Sequence, residues 1–85
     1  MTEPSVQLDD VKAVLVDTLA LERRADSIGP DTPLLGGVPE LDSRAVLELI
    51  VDLEKRFGIR VADEEVRAEV FESLASLTDF VRSKT

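Results

Sequence analysis

The sequence predicts an all-α fold: a small four-helix bundle of three main helices and one short one, with a long loop between the first and second. Three observations carry this. Apolar residues recur at three- and four-residue spacing in segments separated by turn-forming residues. The hydrophobic share is 44% while aromatics are only 4% (three Phe, no Trp, no Tyr), so the core must be built from Leu, Val, Ile and Ala. Finally, 85 residues suffice for one core, hence a single domain over residues 1–85, but not for an extensive active-site cleft beside it.

The first helix is expected to be capped by Ser5. Leu8, Val11, Leu15 and Leu19 face inward, Asp9, Asp10, Lys12 and Asp17 face water, and the end falls near Leu21 or Glu22. Periodicity is then lost over residues 23–41, which Gly29, Pro30, Pro33, Gly36, Gly37 and Pro39 punctuate. A connection of that length in a compact domain needs pins, and Ile28, Leu34 and Leu35 are the expected ones. The second helix spans about Ser43 to Phe57, with Val46, Leu47, Leu49, Ile50, Leu53 and Phe57 in a stripe wide enough for two neighbours. Lys55 and Arg56 complement its C-terminal dipole, and Gly58 ends it.

Ile59-Arg60-Val61 reads as a short extended link. Asp63-Glu64-Glu65 opens a short third helical segment that buries Val66 and one or both of Val70 and Phe71. Ser73 caps the fourth helix, with Leu74, Leu77, Phe80 and Val81 inward and Arg82 and Lys84 at its C-terminal end.

Charge and residue usage exclude several function classes. Eighteen acidic against ten basic residues leave a net charge of −8, which disfavours nucleic acids and anionic membranes and favours basic partners. With no Cys and no His there is no disulfide, thiolate, imidazole base or typical zinc site, so no catalytic residue and no metal ligand is assigned. A free-standing enzyme is disfavoured on the same grounds. The opening residues Met1-Thr2-Glu3-Pro4 lack the marks of a signal peptide, and no run approaches the about 18 apolar residues of a membrane span. A cytoplasmic, monomeric protein without membrane insertion is expected.

The residues that point to chemistry are Leu41-Asp42-Ser43, where the Pro/Gly-rich loop meets the second helix. They set a primary hydroxyl at the positive end of a helix dipole, a place suited to a phosphate ester. Alone, Asp42-Ser43 is an ordinary N-cap. In sequence with it stand Arg44-Ala45-Val46-Leu47-Glu48-Leu49-Ile50-Val51-Asp52-Leu53-Glu54-Lys55-Arg56-Phe57-Gly58-Ile59, then Val61, Asp63-Glu64-Glu65, Ser73-Leu74 and Asp79-Phe80-Val81. This pattern, over nearly the whole chain, resembles the acyl carrier proteins.

The resemblance implies that Ser43 carries 4′-phosphopantetheine, taken from coenzyme A by a phosphopantetheinyl transferase. The thiol of that arm is what a Cys-free chain lacks, and it holds an acyl or aminoacyl group as a thioester. It implies that Asp42 helps position the metal or the basic groups of the transferase, a role compatible with capping. Glu48, Asp52 and Glu54 correspond to acidic positions that dock on basic patches of partners, here an acyl- or aminoacyl-activating ligase, a synthase or an acyltransferase. Singly, each also reads as part of a solvated face.

Three departures from the family pattern bear on partners. Arg44 stands where Leu is usual, Ala45 where an acid is usual, and Lys55-Arg56 where fatty-acid carriers tend to be acidic. Arg44 therefore joins the candidate partner-binding residues, and a specialised pathway is favoured over housekeeping fatty-acid synthesis. Residues 32–43 resemble discrete carriers associated with exopolysaccharide or exosortase systems, or stand-alone carriers serving an activating ligase.

The remaining motifs are structural in this reading. Asp63-Glu64-Glu65 lacks a calcium-loop pattern, Gly36-Gly37 lacks the phosphate-loop ending, and Arg23-Arg24 is a solvated helix end. The Leu/Val stripes are core first, and only secondarily walls of an acyl pocket between the second and third helices. An alternative function remains open: a small acidic protein-binding adaptor in which Ser43 is a cap only.

Overall fold

The computed structural model describes residues 6–85 and is helical throughout its regular structure. Helices α1 (Leu8–Leu19), α2 (Ser43–Phe57) and α3 (Leu74–Lys84) surround one core, and α1 packs against both of the others. The expected short helix is realised as two 3₁₀ turns, Asp63–Glu65 and Ala68–Phe71, with a further 3₁₀ turn at Glu22–Ser27.

Helix α1 begins after Gln7, whose amide donates to Asp10 Oδ2 at 3.0 Å; the expected cap, Ser5, lies outside the described residues. Val11, Val14 and Leu15 are buried along α1. The helix stops earlier than its periodicity suggests. Ala20 adopts a left-handed conformation (φ 55°), and the amides of Ala20 and Leu21 both return to the Val16 carbonyl. This reversal satisfies C-terminal carbonyl capacity and turns Leu21 into the core, so Leu21 follows the helix rather than ending it.

The long connection is pinned as a loop of its length requires, though not by every residue expected. Ile28 and Leu34 are buried, but Leu35 is exposed, and Val38 and Leu41 take its place. The cause is local extended backbone. Pro33 bridges to Ser73, and the amides of Leu34 and Leu35 donate to the carbonyls of Glu72 and Phe71. Successive side chains in extended chain point to opposite sides, so Leu34 inward forces Leu35 outward. The pairing also ties the loop to the start of α3, where the Pro30 carbonyl accepts the Ala75 amide at 3.0 Å. Gly37 lies flush on Pro33; a Cβ there would stand 2.3 Å from the Pro33 carbonyl oxygen.

Helix α2 has the expected bounds and ends at Gly58, which takes the left-handed φ of 65°. Ala45, Leu49, Ile50 and Leu53 are buried, and Val46 and Phe57 are half-buried. Leu47, expected in the stripe, is instead 61% exposed and Val51 45% exposed. The apolar residues of α2 cover more than the arc that its neighbours occupy, and the surplus meets solvent.

The 63–71 segment is two single turns because Val66 is extended between them. Phe71 is buried, whereas Val66 and Val70 are half-buried. Glu65 folds back to accept the Ala62 amide at 2.9 Å and also binds Lys84 Nζ through both oxygens, at 2.8 and 2.6 Å. Ser73 caps α3 as expected, its hydroxyl accepting the Ser76 amide at 3.1 Å. Leu74, Leu77 and Val81 are buried and Phe80 half-buried. The buried Thr78 hydroxyl is satisfied by the Leu74 carbonyl at 2.8 Å.

Candidate functional site

The site begins with an apolar anchor. Leu41 is buried, its amide bonded to the Val38 carbonyl, so the chain reaches α2 from a fixed point. Asp42 follows in extended conformation as the N-cap, and its Oδ1 accepts the Ala45 amide at 2.8 Å while its carbonyl accepts that of Val46 at 2.9 Å. The predicted capping role of Asp42 is thus present in the geometry.

Ser43 is the first residue of α2 and is exposed. Among the described residues no hydrogen bond holds its hydroxyl, and no acceptor engages the amides of Ser43 and Arg44. Two first-turn N–H groups therefore remain free beside a free hydroxyl, at the end of the helix where partial positive charge gathers. A phosphodiester on this oxygen fits that donor set: nothing buries it, and the free amides and dipole favour its negative charge.

The approach to the site is held by one ion pair. Arg24, from the 3₁₀ turn after α1, binds Glu40, two residues before Asp42. The Glu40 carboxyl sits below its ordinary pKa, mainly through its own backbone amide and further through the Arg24 guanidinium, against partial desolvation. Arg24 thereby does more than decorate a helix end.

The four candidate docking residues do not form one uniform surface. Arg44 and Glu48 are exposed. Asp52 is half-buried at the α1 seam and accepts the Thr18 hydroxyl at 2.6 Å. Glu54 lies on the opposite rim of α2, half-buried, and its Oε2 accepts the Val61 amide at 2.8 Å, fastening the chain that leaves the helix. Two of these carboxylates thus also serve the fold.

Shallow grooves run along the α1–α2 seam. One is lined by Asp17, Thr18, Leu47, Glu48, Val51 and Asp52, and another by Thr18, Leu19, Glu40, Asp42, Arg44, Ala45 and Glu48. The second reaches the residues that flank Ser43 on both sides. Sequence reasoning missed Thr18, and it assigned Leu47 to the core. The surplus of apolar residues on α2 was the available signal for Leu47 and Val51, whereas Thr18 carried none.

Comparison with known proteins gives concordant results. Residues 9–81 match the family model described as "Phosphopantetheine attachment site". Over 77 residues, 91% of this chain and 89% of the relative, the sequence is 31% identical to an acyl carrier protein of Thermosynechococcus vestitus. The solution NMR structure of a holo acyl carrier protein from Nitrosomonas europaea is similar in fold with a TM-score of 0.81 at 42% identity, over 89% of this chain and 92% of that one.

Proposed function

Since the chain belongs to the acyl carrier protein family, with its phosphopantetheine attachment site, we propose that Ser43 is the residue that bears the 4′-phosphopantetheine arm. The observation that carries this reading is the exposed, unbonded Ser43 hydroxyl at the first position of α2, beside two free first-turn amides. In the attachment step Ser43 Oγ bonds to the pantetheine-bearing phosphorus of coenzyme A, and the bond from that phosphorus to adenosine 3′,5′-bisphosphate breaks. The hydroxyl proton passes to the phosphopantetheinyl transferase. When bound, the group supplies a thiol on which an acyl or aminoacyl group is held as a thioester.

Around that step the chain's own residues position and orient. Asp42 holds the first turn in register through Ala45, so that Ser43 projects from a rigid helix end. The Arg24–Glu40 pair and buried Leu41 hold the loop that delivers it. With neither Cys nor His, the chain acts as a non-catalytic carrier, modified and loaded by other enzymes. Those partners are the transferase and an acyl- or aminoacyl-activating ligase, synthase or acyltransferase, in a specialised pathway of the cytoplasm. Residues 1–85 form one carrier domain. No helix among the described residues is long and apolar enough to cross a membrane.

Intact-mass spectrometry after incubation with a phosphopantetheinyl transferase and coenzyme A tests the assignment. The chain should gain one phosphopantetheine mass, and Ser43→Ala should gain none. The adaptor reading is favoured by one observation, that Asp42 does cap α2. It wins if the unaltered chain gains no mass.

A further inference from the structure

We propose that Arg44 is a cofactor-binding residue: its guanidinium pairs with the phosphodiester once Ser43 carries one, and holds that anion over the first turn of α2. The inference rests on the Ser43 reading above and adds to it the side chain that binds the anion.

Arg44 is the second residue of α2 and is exposed. A cation there opposes the helix dipole, which favours acids in a first turn and bases in a last one. Other helix ends in the chain keep to that rule. Helix α1 opens on Asp9 and Asp10, α2 closes on Lys55 and Arg56, and α3 closes on Arg82 and Lys84, whereas the first turn of α2 holds no acid. Lys12, Arg23, Arg44, Lys55, Arg60 and Arg67 all lack an ion pair among the described residues, and of these Arg44 alone adjoins Ser43 in sequence.

Three carboxylates share a groove with Arg44, those of Glu40, Asp42 and Glu48, and none of them pairs with it. Glu40 is bound by Arg24, and Asp42 is turned onto the Ala45 amide. Glu48 lies one turn on, but an Arg placed N-terminal to its acid at that spacing is the weaker arrangement. Arg44 thus remains uncompensated although acids surround it.

A phosphodiester on Ser43 adds a negative charge to a site that already carries those three carboxylates. Within a Debye length they repel it, so a cation is needed to hold it close. Arg24 is committed to Glu40, which leaves Arg44. Side chains one residue apart in a helix diverge by about 100°, so Arg44 does not meet the Ser43 hydroxyl itself. Helical side chains also lean toward the N-terminus, however, and the phosphorus stands one bond beyond the Ser43 oxygen, beside the open end of the helix. Arg44 is long enough to turn there, and its planar fork matches two phosphate oxygens. The Leu usual at this position in the family has no such group to offer.

The test compares the full-length chain before and after loading by a phosphopantetheinyl transferase with coenzyme A, with intact mass confirming the conversion. In proton–nitrogen NMR correlation spectra at low salt, the Arg44 Nε–H should shift on loading and exchange with water about two- to fivefold more slowly. The Arg56 Nε–H should not change. Thermal midpoints give a second reading. The holo-minus-apo difference should be about 1–5 °C smaller in Arg44→Gln than in the unaltered chain, and unaffected by Lys55→Gln, an exposed cation at the far end of the same helix. An Arg44 Nε–H indifferent to loading, or a midpoint difference undiminished in Arg44→Gln, overturns the proposal. Should Arg44→Gln escape loading, the Arg44 resonance of the unaltered protein decides alone. Failure of the Ser43 reading shows separately, as no mass gain or a gain that survives Ser43→Ala, and it removes this proposal with it.

Discussion

At Asp42 one side chain serves both as cap and as neighbour of the candidate attachment serine, and substitution can separate the two. Asparagine keeps an oxygen for the Ala45 amide, so Asp42→Asn should leave stability within a few tenths of a kcal/mol, whereas Asp42→Ala should cost about 1 kcal/mol. Urea denaturation followed by circular dichroism reads both. If the carboxylate charge matters to the transferase, Asp42→Asn slows phosphopantetheine transfer at unchanged stability; equal rates reduce Asp42 to a cap. Ala20 presents a different problem, a Cβ in the left-handed region that costs an L-residue about 1 kcal/mol. Ala20→Gly should therefore raise the urea midpoint by an amount equivalent to about 0.5–1 kcal/mol. A lower midpoint would show that the Ala20 methyl makes contacts worth more than its strain.

Among the elements, α2 shows how the apolar pattern divides between core and surface. Leu53 and Leu47 are equally apolar and six residues apart, but Leu53 is fully buried and Leu47 mostly exposed. Leu53→Ala should cost about 2–5 kcal/mol, and Leu47→Ala about 0.5 kcal/mol or less, by the same denaturation measurement. The link between the Asp63–Glu65 turn and α3 adds a pH dependence. The Lys84 ammonium first, and the Ala62 amide second, hold the Glu65 carboxyl below its ordinary 4.5. A carboxyl with a folded pKa below its unfolded one stabilises the fold above the unfolded value, and that contribution is lost as pH falls through the folded value. Glu65→Gln should therefore melt earlier than the unaltered chain near neutral pH and together with it at a pH well below 4.5. A gap that persists in acid would assign the effect to something other than the charge of Glu65.

For the molecule as a whole, the excess of eight negative charges works against compaction, and salt should relieve it. Thermal midpoints are expected to rise between 0.01 M and 0.5 M sodium chloride, because the Debye length falls from about 30 Å to about 4 Å and this acts on repulsion more than on the few exposed ion pairs. A falling midpoint would mean that pairs such as Arg56–Asp17 outweigh the net charge. Much of this architecture was legible in the sequence because its signals are local. The bounds of α2, the capping chemistry of Asp42 and Ser73 and the left-handed glycine at position 58 act within a turn or two of chain, and all appear in the structure as read. What was misread depends on residues distant in sequence. Leu35 points outward because residues 34–35 lie along Phe71 and Glu72, and α1 ends at Ala20 because Leu21 finds a place in the core. Leu47 stays in solvent because no element among the described residues covers its side of α2. By itself, then, the sequence determined an all-α carrier-like chain with a hydroxyl at the mouth of its second helix, since spacing, caps and charge are properties of neighbouring residues. Only the tertiary structure decided which side chains flank that hydroxyl, which carboxylates are already bonded, and that Leu47 and Val51 of α2 are left in solvent, since burial and pairing are settled by elements far apart in the chain.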